Sequence, residues 1–413
     1  MVNKSIKAQF LLRNVKTGFK QMIMVVKKRY VMLIAVAIVG VIVQRCVEPF
    51  NPPVTNYTDL LVISGTLTDE PGDQTITVSR TTPYTDSTYV PENGCSVTVV
   101  DDKGNIIRYT GKGGGKYVAN ITNSDLGYGT SYMLRVIDNK GDVYESDYQT
   151  LQPAPPIDSL TASYQPKSTA ENPDGLKGYQ FYVNTSDPSG KTQYYRWSMQ
   201  ETWEYHSPYT VAAMWDGTLH LNYHFENNRS TCWMTKEVPG IYAATTRDLA
   251  EDVLKNYKLN YVSTQSDRLM WRYSLLVREY SLSAEAYEFW NGLEKQTQQT
   301  GGLFESQPYM IRGNITCVSN PGKIVLGFFA ASGVSKKRIF VGPAPDPARQ
   351  ISCSSDTIKS IRDDLMPYPP SSYPVYMYNF ILPSGAIIKV ASDQQCFDCL
   401  KRGGTNVRPS YWQ

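Results

Sequence analysis

The chain is short of the residues that most enzymes of its size display. It has three histidines in 413 residues, His206, His220 and His224. No G-x-S-x-G elbow, Gly-rich phosphate loop or Cys/His zinc spacing occurs anywhere. His220 and His224 have the i, i+4 spacing that would face one metal from a helix. But TLHLNYHFEN reads as a strand, where residues four apart lie ~13 Å apart, and no Glu follows His220 as in a zincin. The pattern therefore predicts no metal and no cofactor. Carboxylates are scattered, so the sequence neither places nor excludes a glycosidase-type pair. Acidic residues are absent from the first 45 positions, which hold nine basic ones. Without that stretch the formal charge of +3 becomes about −6, with 32 basic against 38 acidic residues. A mildly acidic body without a basic cluster argues against nucleic acid as a partner. Long apolar runs are missing too. The longest, Val31–Val43, has 13 residues, short of the ~20 that span a bilayer as a helix.

What is present begins with that run. Lys27-Lys28-Arg29 followed by VMLIAVAIVGVIV is the charged and apolar pair of a signal peptide, with Met24 as an alternative start. Cys46 stands where a lipoprotein signal peptidase would leave an acylated N-terminal cysteine. Gln44 and Arg45 depart from the small residues usual there, so an uncleaved signal anchor is the alternative. Residues 1–45 are expected as signal peptide and 46–58 as a Pro/Asn/Thr-rich tether. Tyrosine is abundant at 30, with 12 Phe and 7 Trp, which suits both strands and binding surfaces.

From residue 59 to 151 short alternating runs repeat at sandwich spacing: LLVISGTLTD, QTITVSRT, CSVTVVD, NIIRYTG, KYVANI, SYMLRVID and DVYESDYQTL. Asp102-Lys103-Gly104-Asn105 and Asn139-Lys140-Gly141-Asp142 read as hairpin turns. Residues 152–159, rich in proline, read as a linker to a larger β-rich region, 160–413. There Leu269, Trp271, Tyr273, Leu275 and Val277 alternate as the buried face of one strand. A helix follows, capped by Ser283, with Glu285 in its first turn, a staple from Leu282 to Tyr287 and a stripe of Ala286, Phe289, Trp290 and Leu293. Residues 243–257 are expected as a second helix, and 323–331, 337–342, 373–382 and 385–392 as strands. The fold class is thus mainly β: an immunoglobulin- or transthyretin-like sandwich, then a β-rich domain with one or two helices.

Six cysteines follow Cys46. In an exported chain they suggest disulfides. Cys95 sits at a small buried strand position and reads as a free thiol. Cys232, Cys317, Cys353, Cys396 and Cys399 are the candidates, with at least one unpaired. Cys396-Phe-Asp-Cys399 lacks a thioredoxin-like context and reads as structural, with Cys353 as partner for one of the two.

Several stretches carry a family likeness: CVEPFNPP, LLVISGTLTD with QTITVSRT, RYSLLVREYSLSAEAYEFWNGLEK with GGLFESQP, RGNITCV with VLGFFAAS, and CFDCLKRGGTNVRPSYW. In these the chain resembles the Bacteroidota outer-membrane lipoproteins that carry a domain of unknown function and are encoded beside TonB-dependent receptors. The first domain is similar to the sandwich of carboxypeptidase regulatory domains. The resemblance implies a lipid-anchored, non-enzymatic accessory protein at the cell surface. Its implied partner is a TonB-dependent outer-membrane receptor, and its implied ligand a peptide or glycan. A surface adhesin or structural protein and a carboxylate-dependent surface hydrolase are the alternatives.

Overall fold

Alternating apolar residues in the first sandwich build strands that nearly coincide with the expected runs. Lys116–Ile121 buries Tyr117, Ala119 and Ile121 and exposes the residues between or beside them. Leu61–Thr68, Gly72–Arg80, Ser96–Asp101 and Ser131–Ile137 behave likewise. The computed structural model describes residues 59–83, 88–122, 124–168, 173, 175–298, 310–347 and 351–413. The leader, the tether and Cys46 lie outside the described residues.

Two hairpin turns work as the sequence suggests. The Asp101 carboxylate accepts the Lys103 and Asn105 N–H groups at 2.9 and 2.7 Å, and Asp138 accepts those of Lys140 and Asp142. Gly104 and Gly141 take the positive φ each turn needs. The strand Ile106–Gly113 pairs first with Val97–Val100 and then with Tyr117 and Val118. It thereby carries the chain from one layer of the sandwich to the other.

Residues 59–151 do not complete that sandwich alone. Ile315–Cys317 pairs with Tyr144–Ser146, and Val325–Leu326 and Phe329–Ser332 lie parallel to Leu61–Thr68. Between the last two, Gly327 has φ 98°. A Cβ there would sit 1.9 Å from the Ile63 carbonyl oxygen, so only glycine fits. Asn314 fixes the entry, exchanging bonds of 2.8 and 2.9 Å with the Phe329 backbone. Chain from the far side of the prolines thus closes the first core.

The expected linker is correspondingly well anchored. Gln152 O accepts from Gly333 N and Ser281 Oγ. A strand already begins at Ile157, whose N–H meets Ser335 Oγ. Asp69 accepts from Val334 N at 2.8 Å, and Glu70 pairs with Lys336. The described residues accordingly belong to one compact unit.

The second region holds another sandwich. One sheet is Ile157–Lys167, Leu176–Ser186 and Val253–Ser263. The other orders Thr231–Glu237, Tyr194–His206, Tyr273–Ser281 and Val334–Val341, with Tyr242–Thr245 also on Tyr194–His206. Phe181, Val183, Tyr195, Trp197, Met199, Tyr273, Leu275 and Val277 fill the space between. A third sheet orders Leu219–Leu221, Ala213–Trp215, Val375–Ile381, Ile387–Ser392 and Asp356–Ile358.

The helix Ala284–Gln298 forms as expected. Ser283 Oγ caps Ala286 N at 3.2 Å, and Ala286, Phe289, Trp290 and Leu293 pack on Phe328 and Ala330. It covers the outward face of Tyr194–His206, where the Arg196 guanidinium lies 3.9 Å from the Trp290 ring. The second helix, expected over 243–257, is absent. Tyr242–Thr245 and Val253–Ser263 are strands, because Ala243 and Leu254 to Val262 find sheet and core partners. Local helix preference yields to those tertiary contacts. The mainly β class with a first sandwich holds.

Candidate functional site

The sequence stripe Leu269–Val277 breaks at one member. Leu269, Tyr273, Leu275 and Val277 are all 0% exposed, whereas Trp271 is 43% exposed. The reason is local. Asp267–Leu269 is a 3₁₀ turn, and the strand starts only at Tyr273, so alternation does not apply before it. The Trp271 ring swings out and stacks on His206, centroids 3.9 Å apart and planes 19° apart.

The partner strand Tyr194–His206 supplies the polar half of the site. Its last turnout residues alternate: Tyr205 points into the core, Glu204 and His206 away from it. Glu204 N donates to Arg272 O, which extends the ladder beside Trp271. His206 Nε2 and Glu204 Oε1 are 2.7 Å apart. Trp412 Nε1 donates to Glu204 Oε2 at 3.2 Å.

Trp412 belongs to a C-terminal strap. Cys232–Cys399 ties the strap's start to the sheet edge, and Thr405 and Trp233 exchange backbone bonds of 2.8 and 3.0 Å. Arg338 stacks on Tyr411, and Trp412 packs edge-on against Trp233 and Phe340. The terminal CFDCLKRGGTNVRPSYW stretch is therefore structural cladding for this sheet and one wall of the site.

Two depressions share Trp271. A small one of about 60 Å³ is lined by Tyr205, His206, Pro208, Asp267, Met270, Trp271, Ile351 and Arg402. A larger one of about 280 Å³ lies among Glu204, Trp271, Arg272, Phe340, Val341, Gly342 and Pro343. The larger approaches the ~300 Å³ lower bound of ligand sites, enough for one ring. The charges lining both depressions are already engaged. Arg402 pairs with Asp267, Arg272 donates to the backbone oxygen of Gln413 at 2.7 Å, and Glu204 holds His206 and Trp412. An exposed indole with paired planar polar groups around it suits stacking of a neutral ring and hydrogen bonding at its rim. No Ser, Thr or Cys lines either depression, so neither offers a nucleophile of those types beside His206.

Burial pushes the Glu279 carboxyl up to about 7, against hydrogen bonds that favour the charged form. Such a shift often marks a functional acid. Glu279 is however 0% exposed, holding Thr185 Oγ1 and Trp197 Nε1 at 2.8 Å each in the core of the second sandwich. It is a structural acid out of reach of solvent ligands.

Cysteine placement resolves what spacing left open. Cys232 pairs with Cys399, and Cys353 with Cys396, so Cys396 and Cys399 belong to different bridges. Cys317, a candidate from sequence, is instead a buried thiol, since it lies in a strand of the first sandwich opposite Tyr144. Cys95 is a half-buried thiol, raised by burial above its ordinary pKa. His220 meets Asp216 at 3.1 Å and His224 the Asn222 carbonyl. These two histidines take no part in the site. His206, Glu204 and Trp271 had no motif to announce them; only the misfit of an exposed Trp in a core stripe points there.

Fold and site together define a class: a β-sandwich protein with an aromatic surface groove. The family model described as Domain of unknown function (DUF4249) matches residues 47–338, and the chain belongs to that family. The match covers Glu204, His206, Trp271 and Arg272 but ends before Phe340 and the C-terminal strap. No curated protein matches the chain. Among the described residues, no helix is long and apolar enough to cross a membrane.

Proposed function

We propose that this chain is a surface capture protein, lipid-anchored through Cys46 at the outer membrane, serving as accessory subunit of a TonB-dependent transporter. It holds a neutral peptide or glycan segment against Trp271 and delivers it without chemistry. The observation that carries this reading is the Trp271 platform: a bulky ring excluded from the core, braced by His206, with its ionic neighbours paired to one another. A ring fixed in this way stacks a ligand at little entropic cost. The signal-peptide-like leader and the position of Cys46 support delivery to a membrane. The likeness to lipoproteins encoded beside TonB-dependent receptors supports the partner.

Affinity purification of the tagged full chain from its native envelope tests the partnership. Co-elution of a TonB-dependent receptor in stoichiometric amount is expected, and its absence after mild solubilisation contradicts the accessory role. Retention of a Cys46→Ser chain in the membrane fraction, unchanged from wild type, would sink the lipid anchor.

A further inference from the structure

The third sheet ends in a hairpin that outruns its neighbours. Asn379 faces Lys389, Phe380 faces Ile388 and Ile381 faces Ile387. Ala213–Trp215 pairs only as far as Met377, and Asp356–Ile358 reaches only Lys389. Beyond those rows the two strands bond to each other alone. The turn is closed by Leu382 N to Ala386 O and Gly385 N to Leu382 O, at 2.8 and 2.9 Å.

This projecting tip carries no charge from Asn379 to Ile388. Successive strand residues point to opposite faces, so Phe380 with Ile388 covers one face and Ile381 with Ile387 the other. Phe380, Ile381 and Ile387 are 46%, 66% and 64% exposed. A protein partner that packs on a hairpin covers one face, and strand addition covers one edge. An apolar surface on both faces and at the turn fits a medium that surrounds the tip.

The base of the tip has a different character. Lys389 bonds Asn379 at 2.5 Å, and exposed Lys359 continues the strand whose Ile358 faces Lys389. Tyr378 stacks on Tyr209 at 4.0 Å. Charged residues and tyrosines below an apolar end suit the headgroup layer and the polar–apolar boundary of a bilayer. Asp364 accepts the Lys359 N–H at 2.7 Å beside Asp363, and Asp356 lies two rows further from the tip, opposite Ala391, so the base carries charge of both signs.

We propose that the Tyr378–Lys389 hairpin dips into the headgroup–acyl boundary of a lipid bilayer. The outer backbone groups of the tip have no third strand to bond, which holds it at the boundary and out of the hydrocarbon centre. This contact is independent of any anchor at Cys46 and would hold the second region near the membrane.

The test uses the full chain carrying Ile381→Trp, bound to phosphatidylcholine–phosphatidylglycerol vesicles with brominated acyl chains. Its added emission should shift to the blue and be quenched by the lipid beyond the parent chain's loss. Adding Phe380→Asp and Ile387→Asp should abolish that extra quenching with the far-UV circular dichroism unchanged. Emission at position 381 that stays red-shifted and open to acrylamide on vesicle-bound chain overturns the proposal. So does a signal shielded from both quenchers in a chain that sediments as a dimer, which would assign the tip to a second copy. Only chain that co-floats with the vesicles is scored, and ligand capture at Trp271 is read separately, so failure of the tip leaves the capture function untouched.

Discussion

Replacing Glu279 with Gln should change how stability depends on pH while preserving the fold. In the native core the Glu279 carboxyl holds its proton up to about pH 7, chiefly because burial disfavours the anion. In the unfolded chain it ionises near the ordinary value of 4.5. The folded state therefore binds the extra proton between these values. Its stabilising effect is complete below 4.5 and is lost as pH rises through 7. At 1.36 kcal/mol per pH unit the loss is about 3 kcal/mol by pH 8, on the order of 5 °C in Tm for a unit of this size. Gln can keep both contacts, its oxygen accepting from Trp197 Nε1 and its amide donating to Thr185 Oγ1. Melting curves of both chains from pH 4.5 to 8.5 give the answer by difference. The wild-type Tm should fall relative to the variant as pH rises, with the two curves diverging most between 5 and 7.5. Parallel curves would refute the buried-acid assignment, whatever other groups titrate.

Other perturbations follow from the same packing. Peptide mapping without reduction should recover Cys232–Cys399 and Cys353–Cys396 cross-links, with Cys95 and Cys317 alkylated after denaturation; a bridge to Cys317 would contradict the strand placement. Cys232→Ser with Cys399→Ser opens the bridge that spans 167 residues and should cost roughly 2–5 kcal/mol in denaturant titration. Proteolysis should then reach the strap after residue 399 first, and unchanged protection would show that Trp412 and Tyr411 hold it unaided. Gly327→Ala forces a Cβ against the Ile63 carbonyl at positive φ. It should cost more than ~3 kcal/mol or prevent folding, and wild-type stability would mean the crossover differs from the one described.

The readable parts of this chain were those written in local periods. Runs in the first sandwich alternate where one face meets a core, and Lys116–Ile121 is legible to the residue; Ile106–Gly113, which buries only Tyr109, is the weakest of them. The helix Ala284–Gln298 carried its cap and its stripe together. Pairing between distant segments leaves no such mark. Nothing in VLGFFAAS says that it lies parallel to Leu61–Thr68, and the proline stretch therefore reads as a simple divide. The segment 243–257 holds three Ala and two Leu with single Arg, Glu and Lys residues, whose helix preference is worth tenths of a kcal/mol per residue, less than the sheet contacts a helix would forgo. Of the groove's aromatic platform, sequence periodicity points only to Trp271, and places it in the core. Its exposure depends on a 3₁₀ turn that displaces the strand start by four residues from Leu269 to Tyr273. Glu204 and His206 gain meaning only from the ring that the turn turns outward.

The capture reading stands or falls on Trp271. Intrinsic fluorescence of the full chain, titrated with panels of neutral oligosaccharides and of uncharged peptides, measures it directly. The account predicts saturable quenching or enhancement by members of one panel. Trp271→Ala should weaken that binding at least tenfold, about 1.4 kcal/mol, with melting temperature retained because the ring is not in the core. Binding of equal strength in the Trp271→Ala chain, or a ligand whose footprint avoids Trp271, Glu204 and His206, would contradict it.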